Sequence, residues 1–154
     1  MSSRIDQRLN DLGITLPEAM APVANYVPWV VSGNMVYVSG QTSRNEDGLI
    51  TGQLGAGTDI ETGRVAARSC ALALIAQLKA ACGGDLDRVR RVVKLVGFVN
   101  AAPGFTEHPQ VVNGASDLMV EVFGDAGRHS RAAVSAAALP LGVAVEIEAI
   151  FEVA

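Results

Sequence analysis

The chain has 154 residues and a formal net charge of −4, with 49% of residues hydrophobic and 18% charged. That balance excludes a disordered chain, leaves room for one domain with a real core, and argues against non-specific nucleic-acid binding. No apolar run reaches the length of a membrane span, and the first residues lack the layout of a signal peptide, so a cytoplasmic protein is expected.

Ser3 to Leu12 reads as a short amphipathic helix, with Ile5, Leu9 and Leu12 on one face and Gly13 in the stop position. Pro17 to Pro22 is linker-like. Tyr26 to Val31 and Met35 to Ser39 are apolar runs separated by Ser32-Gly33-Asn34, a hairpin signal because Gly and Asn tolerate positive φ. Gln41 to Gly48 reads as polar loop, and Leu49 to Thr51 as a short strand.

Asp59 opens a long helix to about Cys82, where Val65, Ala66, Cys70, Leu74, Leu78 and Ala81 recur at helical spacing and Gly83-Gly84 ends the run. Its many alanines would let it lie close to a sheet. Val92 to Asn100 is rich in β-branched and aromatic residues and reads as a strand. Pro109 to Phe123 is a second helix, with Pro109 in the first turn and Gly124 at the exit. The strand at 92–100, this helix and a strand at 131–136 form a βαβ pattern, which predicts parallel neighbouring strands.

The last run alternates strictly. Val143, Val145, Ile147, Ala149, Phe151 and Val153 point one way; Ala144, Glu146, Glu148, Ile150 and Glu152 point the other. The odd face is core. Two helices cannot cover both faces of a sheet of five or six strands, so one face should carry them and the other stay polar or meet a partner. Arg131 can clamp a carboxylate, and a glutamate nearby can handle a proton or a water, which outlines a site for a small acid. Alternation alone does not choose between Glu146 and Glu148.

Other features read as structure. Gly52, Gly55 and Gly57 fit no phosphate loop, and Asp59 and Glu61 in the following first turn would repel an anion. Arg88, Arg90, Arg91 and Lys94 read as a solvated strand entrance. His108 and His129 lack companions at metal-ligand spacing, so no metal site is expected. Cys70 and Cys82 lie roughly 18 Å apart along one helix and cannot bridge each other within it, so both read as reduced, buried thiols.

Taken together, Tyr26, Gly33-Asn34-Met35, Ser39-Gly40-Gln41, Arg131, Leu139-Pro140 and Val145-Glu146-Ile147-Glu148-Ala149-Ile150 resemble the RidA/YjgF family of enamine/imine deaminases. The resemblance runs from about Tyr26 to the C-terminus, so residues 1–25 form an N-terminal helical extension and 26–154 the family-like domain. The Gly114-Ala115-Ser116-Asp117-Leu118 helix marks a branch with such an extension. The resemblance implies an α+β, chorismate-mutase-like fold: a mixed sheet with two main helices on one face, assembled as a homotrimeric barrel with a ligand site in each intersubunit cleft. It implies hydrolysis of reactive 2-imino or enamine acids to 2-keto acids and ammonia, with no metal and no cofactor.

Residue by residue, it places Arg131 on the arginine that binds the substrate carboxylate and Glu146 on the glutamate that activates the attacking water. Tyr26 falls on the site tyrosine, Gly40 on the position whose backbone faces the ligand, and Asn113 on the site asparagine, one residue further from the arginine than usual. Ala133 stands where many members have cysteine, which leaves a backbone carbonyl and no thiol. The loop from Thr42 to Thr58 and the first 25 residues exceed the compact family pattern. The rival from another class is a non-catalytic trimer that binds a keto acid in the same cleft. An RNA-cleaving activity, an older label of the family, has little physical support in an acidic chain without an aromatic and basic surface.

Overall fold

A computed structural model describes residues 2–22 and 24–154. The chain opens with α1 (Arg4–Asp11), then β1 (Trp29–Ser32), β2 (Met35–Thr42), β3 (Arg44–Asn45) and β4 (Gly48–Leu49). The long helix α2 (Ile60–Ala81) precedes β5 (Val89–Asn100), α3 (His108–Phe123), β6 (Ser130–Ala136) and β7 (Val145–Val153). Five strands form one mixed sheet in the order β1-β2-β7-β5-β6, and β3 and β4 form a separate two-stranded hairpin. β5 and β6 are parallel across α3, as the βαβ pattern predicts, while β7 runs antiparallel to both β2 and β5.

The hairpin between β1 and β2 turns through Gly33, at φ 61°, while Asn34 keeps a negative φ. Asp59 caps α2 by accepting a hydrogen bond from the Thr62 amide at 2.8 Å, a cap that contributes about 1 kcal/mol. α1 carries a full capping box between Ser3 and Asp6. Its first two amides donate to the Asp87 carboxylate at 2.8 and 2.9 Å, and Asp6 pairs with Lys79 of α2 at 2.9 Å.

α2 and α3 both cover the same sheet face, where Val36, Leu95, Val99, Val145, Ile147 and Phe151 are fully or almost fully buried beneath them. Each large side chain withdrawn from water there contributes roughly 1.5–3 kcal/mol. Ile5 and Leu9 of α1 join the same cluster. Two glycines let the layers close: a Cβ at Gly97 would lie 2.8 Å from Val112 of α3, and one at Gly114 would lie 2.1 Å from the Arg64 carbonyl oxygen of α2. The odd residues of β7 are buried and its even ones are exposed or half-exposed, as alternation requires. No described helix is long and apolar enough to cross a membrane.

Three local readings change. The segment 41–48 is not all loop, because β2 continues to Thr42 along β7 and Arg44 to Leu49 folds back on itself as the β3–β4 hairpin. The first strand begins at Trp29 rather than Tyr26, since only from there does the backbone pair with β2. Val65 does not belong to the core stripe of α2; it is 52% exposed on the helix's open flank.

Candidate functional site

Arg131 sits in β6, an edge strand, opposite Leu95 of β5. Leu95 in turn faces Ala149, so Arg131 lies on the helix-covered face, at its margin beside α3. There one guanidinium nitrogen, Nη1, donates to Asn113 Oδ1 at 2.8 Å and to Ser116 Oγ at 3.1 Å. Asn113 and Ser116 are three residues apart on α3 and therefore share one face of that helix. The remaining guanidinium nitrogens make no hydrogen bond to a described residue, which leaves one edge of a planar fork open to a carboxylate.

Ser116 is itself oriented. His129 Nδ1 lies 2.6 Å from the Gly127 carbonyl, which can only accept, so Nδ1 carries the proton. Burial holds the His129 pKa below its ordinary value; the Gly127 carbonyl opposes it, and the neighbouring Arg131 charge, the smallest of the three causes, adds to the lowering. The ring is neutral, and its Nε2 accepts from the Ser116 hydroxyl at 2.9 Å. A directional chain thus runs from Arg131 through Ser116 and His129 to the backbone. In the sequence His129 has no companions at metal-ligand spacing; its role comes from a contact with Ser116, thirteen residues away. The one readable signal was the Asn113–Ser116 spacing. Ala133 is two residues along the same strand, opposite Gly97 and half-buried.

The other named residues gather elsewhere. Glu146 of β7 is opposite Phe98 of β5 and Thr42 of β2, which puts it on the sheet face away from the helices. Its carboxylate fills the space a side chain at Gly40 would need, since a Cβ there would lie 2.6 Å from Oε1. Gly40 falls in the register shift between Val38 and Gln41; the Ser39 amide donates to the Pro28 carbonyl at 2.9 Å, and beyond it β2 has no β1 partner, so the Gly40 backbone is open on that side. Burial first, and the Glu148 charge second, push the Glu146 pKa above its ordinary value. Glu148 is exposed on the same face, opposite Val96.

Tyr26, 51% exposed, joins Gly40 and Glu146 around a cavity of about 690 Å³. The chain thus holds two clusters rather than one. Arg131, Asn113 and Ala133 lie at the β6 edge; Tyr26, Gly40 and Glu146 lie towards the β1–β2 end of the sheet, on or around its opposite side. β6 and β7 are two strand positions apart, about 10 Å of sheet. Among the described residues no three His, Cys, Asp or Glu side chains form a group that could hold a metal.

A family model described as "YjgF/chorismate mutase-like, putative endoribonuclease" matches residues 6–152. The chain belongs to the YjgF family. It is 54% identical over 153 residues to Protein TCP17 of Trypanosoma cruzi, covering 98% of this chain and 95% of that one. The crystal structure of Atu1372 from Agrobacterium tumefaciens, a protein of unknown function, superposes with a TM-score of 0.90 at 48% identity, covering 97% and 92% of the two chains. The YjgF gene product of E. coli superposes with a TM-score of 0.61 at 29% identity, covering 88% and 93%. The YjgF-like α+β fold expected from the sequence is the fold observed.

Proposed function

We propose that this YjgF family chain hydrolyses 2-imino or enamine acids to 2-keto acids and ammonia, at a site completed between two copies of the chain. The observation that carries the reading is the state of Arg131. It is fixed through one nitrogen by Asn113 and Ser116 and leaves its other edge free beside an open strand edge. A guanidinium held that way suits bidentate capture of a planar carboxylate. Glu146, whose raised pKa brings it nearer to neutrality, suits a group that takes a proton from water and returns it.

In the reaction water adds across the C=N bond, Glu146 accepting its proton, to give a carbinolamine. Starting from the protonated imine, return of that proton to nitrogen lets the C–N bond break: ammonia leaves, Glu146 takes the hydroxyl proton, and the carbon keeps its oxygen as the keto group. The carboxylate contact orients the carbon towards the water, so binding and rate share one residue. Within one chain, Arg131 and Glu146 stand on opposite sheet faces. A cyclic assembly that sets the β6 edge of one copy against the end of β2 that β1 leaves uncovered in the next would bring them together, and a homotrimer is such a closed ring. Val30, Tyr37 and Val134, 52, 46 and 44% exposed on the face without helices, supply apolar surface for it.

The test is loss of 2-iminopropanoate and 2-iminobutanoate generated in situ. Acceleration by the purified protein is expected, with Arg131→Ala reducing kcat/KM by about 100-fold or more. Undiminished turnover by Arg131→Ala would sink the proposal.

A further inference from the structure

The cavity beside Glu146 is larger and more apolar than a three- or four-carbon acid requires. Its volume of about 690 Å³ lies in the range of roughly 300–1,000 Å³ that holds ligands of drug size. Gly40 and Glu146 form part of its wall; Leu16, Met20, Val65, Leu72 and Leu141 line the remainder. Met20, Val65 and Leu141 are 51, 52 and 75% exposed, although large apolar side chains gain by leaving water. Leu141 also stands at φ 60°, the one non-glycine at positive φ among the described residues. That backbone costs of order 1 kcal/mol and places an apolar side chain at this cavity.

The far wall is held in place. Gln77 of α2, almost wholly buried, donates its side-chain amide to the Met20 carbonyl at 2.7 Å. Ile14 and Leu16 pack against the core, which anchors the segment at its start. The stretch that reads as a linker in the sequence is thus a built wall facing α2. The charged residues of the lining do not spoil its character: Arg68 is engaged by Glu121 at 3.4 Å, while Arg44, Glu46 and Glu18 are solvent-exposed.

We propose that Thr15–Pro22 and the open flank of α2 form the side-chain pocket of the substrate, and that this chain selects 2-imino or 2-keto acids bearing a large apolar side chain, branched or aromatic. The chemistry rests on the function proposed above; the pocket's preference for apolar side chains does not. A longer apolar side chain fills space that a methyl group leaves to water, and each added methylene is worth about 10-fold or more in discrimination.

The experiment compares imines generated in situ by an amino-acid oxidase from alanine, leucine and phenylalanine, in wild type and in Val65→Trp. It is paired with calorimetric binding of the three corresponding 2-keto acids. Val65 is exposed and outside the reacting groups, so the variant fills the pocket without burdening the fold. Expected is a kcat/KM at least about 10-fold higher for the leucine- or phenylalanine-derived imine than for the alanine-derived one, a ratio that Val65→Trp collapses to within about twofold of unity. A flat profile, a preference for the smallest imine, or a preference that survives Val65→Trp would overturn the proposal. If no imine is hydrolysed, the reaction falls and calorimetry decides the pocket alone. Affinity that rises with side-chain size and disappears in Val65→Trp upholds it; affinity indifferent to the side chain ends it.

Discussion

His129 carries its proton on Nδ1 and accepts from Ser116 on Nε2, so the Arg131 fork depends on a neutral imidazole. The sign of the pH effect follows. The unfolded chain takes up a proton near the ordinary histidine value of 6.5, while the folded ring resists it through burial and the Arg131 charge. The stability held by the neutral ring is therefore present above 6.5 and is lost as pH falls through the lower folded value. Once protonated, Nε2 can only donate, so the Ser116 hydroxyl must turn round to accept from it, and Arg131 then shares that oxygen with a second cationic donor. Between about pH 7.5 and about pH 5.5 the thermal midpoint of wild type should fall more than that of His129→Asn. Over the same interval KM for the carboxylate substrate should rise in wild type, as the brace on the guanidinium weakens. Identical pH slopes in the two proteins would mean that the ring does not titrate between its folded and unfolded states as described.

At the scale of elements, the crossing of α2 and α3 is set by Gly114. A methyl group there would meet the Arg64 carbonyl oxygen at 2.1 Å, and backbone cannot swing aside as a side chain can. Gly114→Ala should therefore force the helices apart and destabilise the fold by about 1–3 kcal/mol, although alanine is the better helix former. A urea unfolding midpoint equal to that of wild type would refute the close crossing. The helices and the long strands were legible in the sequence because their signals are local: the capping aspartate and apolar spacing of α2, the alternation of β7, the βαβ order around α3. The β3–β4 hairpin was not, because its polar residues carry no periodic signal. The candidate site was legible as a set of residue types, from Tyr26 to Glu146, and not as an arrangement. That Arg131 and Glu146 face opposite ways follows from the register of β5 with both β6 and β7. That register joins segments distant in the chain. The wall at Thr15–Pro22 was hidden for a similar reason, since Gln77 pins it from 57 residues away.

At the scale of the whole molecule, the sheet has two open edges with different chemistry. The β6 edge carries Arg131 with one side of its guanidinium free, and the β1 edge stops short of the Gly40–Thr42 end of β2, which exposes a glycine backbone and a glutamate beside an apolar cavity. A head-to-tail contact that pairs unlike edges generates a ring, with one composite site at each junction. This makes a prediction that no single-chain site shares. Arg131→Ala and Glu146→Gln should each be inactive alone, since each ruins one half of every site. Unfolded together in equal amounts and refolded, they should regain activity. A junction works only when its arginine comes from the Glu146→Gln chain and its glutamate from the Arg131→Ala chain, so random mixing restores about a quarter of the sites. Sedimentation should give a trimer for each variant and for the mixture. Trimers that stay inactive after mixing would place Arg131 and Glu146 in separate functions, and the composite site would have to be abandoned even if the ring itself forms.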